Sequence, residues 1–378
     1  MLSGSVHLTL LVGPAVPVPV PRFVLDALTG VTVHSTAEPG KQSAFELTFE
    51  LEKGSLLPTV FLLVGGSLPP VLRVVITVTV GSMPEVLIDG VMTSTSLAPG
   101  ANGTPSVLTV HGMDLTALME KIDGTGTPFP ALPVAARVLT VLAKYAAFGV
   151  IPAVVPSLVP DTPNPLERVP VQRGTDLAYL RRLASRSGYV FTHIPGPVPG
   201  ASIAYWGPQA KIGLPQPALN VDLDVQTNVE SLNFSYDAEA ATLPVIFIHH
   251  PETKAIIPVP IPDVSPLNPP LGALQPIPHR IRYIRETAKL GIAEAVLLGM
   301  AKSSSAADVV TAQGSLDVQR YGQVLRPRAL VGVRGAGTAF DGLYFVQSVD
   351  HQLKRGSFTQ QFTLVRNGLV STLPVVPV

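Results

Sequence analysis

Few residues in this sequence could do chemistry. The eight histidines are His7, His34, His111, His193, His249, His250, His279 and His351. No two of them stand in the HExxH spacing that places two imidazoles on one helix face around zinc. His249 and His250 are adjacent, so on a strand their rings point to opposite faces. Two readings stand there, a metal site or the polar end of a strand before a proline-rich loop. Cysteine is absent, which excludes a thiolate nucleophile, a disulfide frame and Cys-based zinc or iron–sulfur sites. No GxSxG nucleophile elbow and no GxxxxGK[ST] phosphate loop occurs. Gly332, Gly335 and Gly337 are spaced like part of a nucleotide loop. The following Thr338-Ala339-Phe340 lacks the third glycine and opens no helix, so the segment reads as a turn between strands. A glycoside hydrolase needs two carboxylates ~5–9.5 Å apart. Among 26 acidic residues some pair always lies close, so acid content alone does not select that chemistry. Asp114 and Asp176 read as helix starts. Asn102-Gly103-Thr104 and Asn233-Phe234-Ser235 match glycosylation sequons, which carry meaning only in a secreted chain. Two arginine groups, Arg181/Arg182/Arg186 and Arg280/Arg282/Arg285, are solvated helix faces or contacts for an anionic or protein partner. No catalytic, metal or cofactor constellation emerges, and the chain is read as a non-enzyme without cofactors.

The elements that would position any site follow from composition and period. With 378 residues the chain has room for two or three domains. Apolar residues make up 46% but charged residues only 14%, against a usual ~25%. Gly 32 and Pro 39 give 71 of 378 residues, 19%, against a usual ~12%. Net charge is zero, which argues against general nucleic-acid binding. High apolar and low charged content argue against disorder. Met1–Val12 lacks the basic start of a secretory signal. The apolar stretches Leu56–Val80 and Val134–Val159 are broken by Pro, Gly, Arg73, Arg137 and Lys144, so neither gives the ~20 apolar residues of a membrane span. Mean hydropathy is nevertheless +0.38. A soluble chain this poor in charge is expected to bury apolar surface against other subunits.

Ala44–Glu52 alternates with period two, Phe45, Leu47, Phe49 and Leu51 on one face. Val71–Val80, Val86–Leu97 and Ser106–His111 are further strands, with Asp89-Gly90 as a turn or bulge in the second. Asp114–Ile122 changes to helical period, with Asp114 as N-cap. Ala131–Phe148 is a second helix, with Pro133 in its first turn, and Pro152–Pro170 a proline-broken linker. Gly174–Gly188 carries a full set of helix signals: Thr175 as N-cap, Asp176 in the first turn, an apolar stripe of Leu177, Leu180, Leu183 and Ala184, basic residues late, and Gly188 as the stop. A hairpin follows, Tyr189–Ile194 and Ser202–Trp206, then strands over Val221–Tyr236. Pro251–His279 is too rich in proline for interior strand or helix and reads as an extended surface excursion. Arg280–Lys302 returns to helical spacing. Ala306–Leu364 is strand-like, with Gly342–Asp350 and Ser357–Val365 paired across a turn at Lys354-Arg355-Gly356.

Three stretches together resemble one family. Gln172–Phe191 (QRGTDLAYLRRLASRSGYVF) resembles the helix-and-strand signature of phage late-control protein D and the type VI valine-glycine-repeat proteins, carried by Asp176, Leu177, Leu180, Leu183 and Gly188. Glu85–Met119 resembles the same family's first module, with Asp89-Gly90 on its strand and Asp114-Leu115 at the helix entry. Tyr321–Leu369 resembles its closing barrel, through Tyr321-Gly322, Asp341-Gly342, Val349, His351, the Gly356 turn, Phe362 and Arg366. The resemblance implies an α+β, mostly β fold, with two barrel-like β modules bracketing a mixed α/β module. Residues 1–113 would form the first, tube-like barrel. Residues 114–206 would form the mixed module, 207–250 with 303–378 the second barrel, and 251–302 a proline-rich and helical insertion.

The function it implies is the structural baseplate hub of a phage tail or contractile injection system. Such a hub is a homotrimer whose six similar barrels meet a hexameric inner tube, while the other end holds the trimeric spike. Surplus apolar surface suits obligate interfaces of that kind. Other baseplate proteins would be partners, and assembly would take place in the bacterial cytoplasm before incorporation into the particle. The spike modules of the type VI proteins have no counterpart here, which implies a separate spike chain. The segments 14–21 and 251–279 lie outside the family pattern and read equally as docking arms or loops. The rival readings are a tail-tip cell-wall hydrolase and a receptor-binding or tail-adaptor protein.

Overall fold

A computed structural model of the chain describes residues 6–52, 54–55, 57–58, 61, 71–100, 104–157, 163–166, 169–249, 256–261, 268–284, 295–296, 298–300, 303 and 308–373. Strands dominate, because Val, Ile, Thr and Phe recur at alternate positions over short runs. The first third gives β1 (Val6–Gly13), β2 (Val18–Pro19), α1 (Arg22–Ala27), β3 (Leu28–Thr36), β4 (Ala44–Leu51), β5 (Arg73–Val80), β6 (Met83–Ala98) and β7 (Ser106–Asp114). In β4 the alternation holds residue by residue, with Phe45, Leu47, Phe49 and Leu51 buried. Asp89-Gly90 lies inside β6, which runs unbroken past it and bulges at Met92/Ser94. Gly90 is required there by close approach: a Cβ would sit 2.2 Å from the Met113 carbonyl oxygen of β7. Gly90→Ala is expected to lower the unfolding free energy by about 1–3 kcal/mol, as overpacking does. Gly40→Ala, in open space but at positive φ, serves as the comparison in the same urea titration.

The middle third gives α2 (Thr116–Lys121), α3 (Val134–Ala143), β8 (Val150–Val154), α4 (Asp176–Arg186), β9 (Val190–Pro195) and β10 (Ser202–Gly207). It has its own core, built from Leu118, Met119, Val141, Leu142, Leu180 and Trp206 among others. Thr175 caps α4, its hydroxyl accepting from the Ala178 N–H at 3.3 Å, and Gly188 follows the helix at φ +69°. Two expectations are corrected. Asp114 ends β7, and α2 starts at Thr116. The stretch expected as a linker begins with a strand, β8, which pairs in parallel with β10. Pro152 is tolerated in it because β8 is the edge of the sheet β8-β10-β9.

The last part gives β11 (Gln216–Asn220), β12 (Ser231–Tyr236), β13 (Thr242–His249), β14 (Ile256–Pro260), β15 (Gly272–Leu274), β16 (Arg280–Ile284), β17 (Val310–Asp317), α5 (Val318–Tyr321), β18 (Leu330–Arg334), β19 (Gly342–Lys354), β20 (Ser357–Arg366) and β21 (Leu369–Ser371). The expected helix at Arg280–Lys302 is corrected at its start: Arg280–Ile284 is a strand parallel to β13. Residues 285–294 lie outside the described residues, as do residues 101–103 of one sequon and His250. The proline-rich stretch supplies β14 and β15, with Ile261, Asn268 and Leu271 buried, so it is more than a surface excursion. Its prolines Pro258 and Pro260 sit on the edge strand of β14-β13-β16, where a missing donor costs least.

One large sheet joins the early and late strands. Its order is β12-β17-β20-β19-β3-β4-β7-β6-β5-β1-β2, with β18 and β11 branching from β19. The join is the antiparallel pairing of β19 residues 348–354 with β3 residues 30–36. The main apolar core follows the sheet across that join, from Val33, Leu47 and Ile76 to Val331, Tyr344 and Leu364.

Candidate functional site

Asp89 is fully buried and holds a bidentate pair with Arg73 of β5, at 2.8 Å from Nε and 2.6 Å from Nη2. The same guanidinium donates to the Ala15 carbonyl at 2.9 Å and the Gly200 carbonyl at 3.0 Å. Ser202 Oγ donates to Asp89 at 2.9 Å. One ion pair thus ties β5 and β6 to the β1–β2 turn and to the β9–β10 hairpin. Arg73 is the one charged residue of β5, and that is the signal in the sequence that could have pointed to this role.

Asp114 accepts from the Ser43 N–H at 2.9 Å and the Thr116 N–H at 3.0 Å, turning the chain from β7 into α2. Asp176 is fully buried at the start of α4. Lys144 Nζ lies 3.0 Å from both its oxygens, Tyr145 OH donates at 2.7 Å and Gln172 Nε2 at 2.6 Å. Burial, then the hydrogen bond to Asp176, push the Tyr145 phenol far above its ordinary range. Leu177, Leu180 and Leu183 pack inward on the same helix, and Leu115 joins them from the α2 entry. Asp176 therefore does more than face a helix dipole: it gathers α3, α4 and the strand-like lead-in at Gln172.

In the last part Tyr321 donates to the Pro217 carbonyl at 2.6 Å, and Gly322 ends α5 at φ +89°. Arg366 donates to the carbonyls of Asp341 at 2.8 Å and Ala339 at 2.7 Å and stacks on Tyr344. Gly342, at φ +135°, leaves room for it, since a Cβ would lie 2.7 Å from Arg366 Nη1. Asp341 accepts from the Ala336 N–H at 2.8 Å. Val349 and Phe362 are buried register partners in the β19–β20 hairpin, whose turn holds Gly356 at φ +80°. His351 is buried against Gln360, whose amide also bonds both backbone groups of Leu325. Burial takes the His351 pKa down to about 3, so the imidazole is neutral.

The residues singled out from the sequence thus fall into separate buried knots rather than one cleft. Asp89, Asp114, Asp176 and Asp341 each accept from donors near in space, those of Asp89 and Asp114 drawn from distant parts of the chain, which suits positioning. Among the described residues no three His, Asp or Glu side chains gather around a metal position. No described helix is long and apolar enough to cross a membrane.

At the join of the sheet, His34 of β3 faces Asp350 of β19 at 2.5 Å, both half-exposed. The hydrogen bond to Asp350 raises the His34 pKa, against an opposing burial effect. A raised histidine pKa stabilises the fold fully below the unfolded value of ~6.5 and loses that contribution as pH rises through the folded value. Buried His351 and His193 act oppositely, since their lowered pKa values weaken the fold as pH falls below ~6.5. The difference between the native chain and Asp350→Asn isolates the pair. The native chain is expected to lead by up to ~1 kcal/mol at pH 5.5, solvent screening limiting the gain, and the lead to shrink by pH 8.5. Urea midpoints at the two pH values check this.

A cavity of about 470 Å³ lies where the β6 start, the β9 end and the 324–328 segment meet. Among the described residues the branch of the large sheet ends at β11 and its main path at β12 and β2. Exposed apolar side chains stand near the last two, Tyr236 on β12 and Val16, Val18 and Phe23 around β2.

No family model matches the sequence, and no curated protein sequence matches it. Solved structures do. A tail protein from Neisseria meningitidis MC58 superposes with a TM-score of 0.62 over 97% of this chain and 98% of its own, at 12% identity. This chain has the phage tail-protein fold. The 43 kDa tail protein of prophage MuSo2 from Shewanella oneidensis shares that fold at TM-score 0.59 and 14% identity, covering 95% and 98% of the two chains. An Escherichia coli type VI secretion component, itself described as similar to the T4 tail proteins gp27 and gp5, matches at TM-score 0.53 and 11% identity over 93% of this chain and 77% of that one. At such identities the likeness is one of fold.

Proposed function

We propose that the chain is a structural hub of a phage tail or contractile injection system. The observation that carries this is the single sheet in which early and late strands join through β3 and β19, in a chain that matches phage tail proteins along nearly its whole length. On this reading residues 1–113 and the 207–250 and 303–378 segments are two barrel-like modules, the mixed module of 114–206 braces them, and 251–302 is an insertion. Three chains close a ring through head-to-tail contacts at the open sheet edges. The ring offers six similar modules to a hexameric inner tube and one threefold axis to a separate trimeric spike. The work is mechanical, without a catalytic step or cofactor. The particle is assembled in the bacterial cytoplasm and acts as part of a tail.

The test is direct imaging of the purified chain by electron microscopy. Views down the ring axis are expected to show threefold particles with six lobes of similar size. Compact single-chain particles at micromolar concentration would overturn the reading.

A further inference from the structure

The large sheet repeats one pattern of strands. One stretch of it runs β3-β4-β7-β6-β5 and another β12-β17-β20-β19-β18, with every neighbour antiparallel. The strands of both stretches come in the same chain order, so β3 answers to β12, β4 to β17, β5 to β18, β6 to β19 and β7 to β20. The bulges correspond too. β6 shifts register against β7 between Met92 and Ser94, and β19 against β20 between Val346 and Ser348. A bulge is a fixed feature of a strand pair, so the two align the stretches residue by residue. Met92 answers to Val346 and Ser94 to Ser348. Carried across β4 and β17, the alignment sets Val33 against Phe234 and His34 against Ser235.

At the bulge the neighbouring strand changes. β18 and its lead-in follow β19 as far as Val346, which bonds Arg328 and Ala329, and from Ser348 β3 takes over. β5 and its lead-in follow β6 as far as Met92, which donates to the Leu72 carbonyl. From Ser94 to Ala98 no described strand takes over, and β6 is paired on its β7 side alone. β12, the counterpart of β3, ends the sheet with no described neighbour beyond it. One chain therefore makes this join once and carries both sides of a second, unmade one.

Neither of these edges is guarded. Sheet edges are commonly blunted by proline or charge. Pro19 stands in β2, Pro152 in β8, Pro217 in β11, Pro258 and Pro260 in β14, and Arg280 and Arg282 in β16. Ser94–Ala98 and Ser231–Tyr236 contain neither proline nor charge. Both carry apolar surface into solvent instead, Leu97 being 50% exposed and Tyr236 42%. At the matching places of the β19–β3 join stand His351 and Ser35, and both are buried.

We propose that residues 94–98 of β6 pair antiparallel with β12 of a second copy of this chain, in the register of the β19–β3 join. Thr95 then faces Tyr236, Ser96 faces Ser235, Leu97 faces Phe234 and Ala98 faces Asn233. Phe234 already stacks on Phe340 at 4.8 Å, so Leu97 extends an apolar cluster that the second copy brings. The contact joins unlike surfaces, and its repetition closes a ring. It rests on the hub reading for the number of chains and adds which strands meet.

The chain has no cysteine of its own, so paired replacements report the contact. Ser96→Cys with Ser235→Cys takes the places of Asp350 and His34, whose side chains meet at 2.5 Å in the join. Both serines are exposed, so the variant is expected to fold, which its circular dichroism checks. Oxidation of the purified chain with copper–phenanthroline is expected to link chain to chain at least tenfold more than in either single replacement. It should exceed by the same margin the linking of Ser96→Cys with Ser231→Cys, which is out of register. Light scattering of the same sample separates two failures. A trimer without links would overturn this contact and leave the hub reading standing, whereas a monomer would overturn both. Equal linking by the out-of-register pair would also overturn the contact.

Discussion

Asp89→Ala is expected to destabilise the fold by about 3–5 kcal/mol, the cost of leaving one partner of a buried ion pair unmatched. Arg73 would keep only the carbonyls of Ala15 and Gly200, and Ser202 would lose its acceptor. The charge has no route to water, because Arg73 is 2% exposed. The paired replacement Arg73→Met with Asp89→Leu is expected to recover most of the loss, since exchanging a buried pair for apolar groups is often near neutral. The pair also links the large sheet to the β9–β10 hairpin. Trp206, the single tryptophan, stands in that hairpin and reports its core by fluorescence, while circular dichroism reports the sheet. In Asp89→Ala the two urea transitions are expected to separate; in the native chain they should coincide.

Asp176→Ala is expected to cost roughly 2–5 kcal/mol, because it orphans two buried donors at about 1–3 kcal/mol each. Those donors are Tyr145 OH and Gln172 Nε2. Lys144 lies partly in solvent and can rehydrate, so Lys144→Met is expected to change stability by less than ~1 kcal/mol. Tyr145→Phe removes one donor along with its need and should fall between the two. Equal losses for Lys144→Met and Asp176→Ala would mean that the charge pair, rather than the hydrogen-bonded knot, holds α3 to α4.

Where local period and turn chemistry decide the structure, the residues alone were enough. β4 follows its alternation, and α4 has its cap, stripe and stop at Thr175, Leu180 and Gly188. Long-range partners were not legible. Nothing in the run around Arg73 shows that its guanidinium reaches Ala15 and Gly200, which lie 58 and 127 residues away in sequence. Nor does Asp176, a good first-turn residue, announce that it is buried beneath Lys144 and Tyr145. Proline density misled at Pro152 and Pro258, because an edge strand leaves one row of donors unused and proline can stand there. Arg280–Ile284 carries apolar residues at a spacing that both periods accept, and its pairing with β13 decided for a strand. The join of β3 with β19 carries the proposed function, and no local pattern encodes it.

On the proposed reading that join gives each chain two β modules to present to a ring, so the number of chains per particle decides it. Light scattering after size exclusion measures it directly. The proposed trimer has a mass of about 119 kDa, three times the 39.7 kDa chain, as head-to-tail closure of three copies gives. A folded monomer of 39.7 kDa that persists at high micromolar concentration would contradict it.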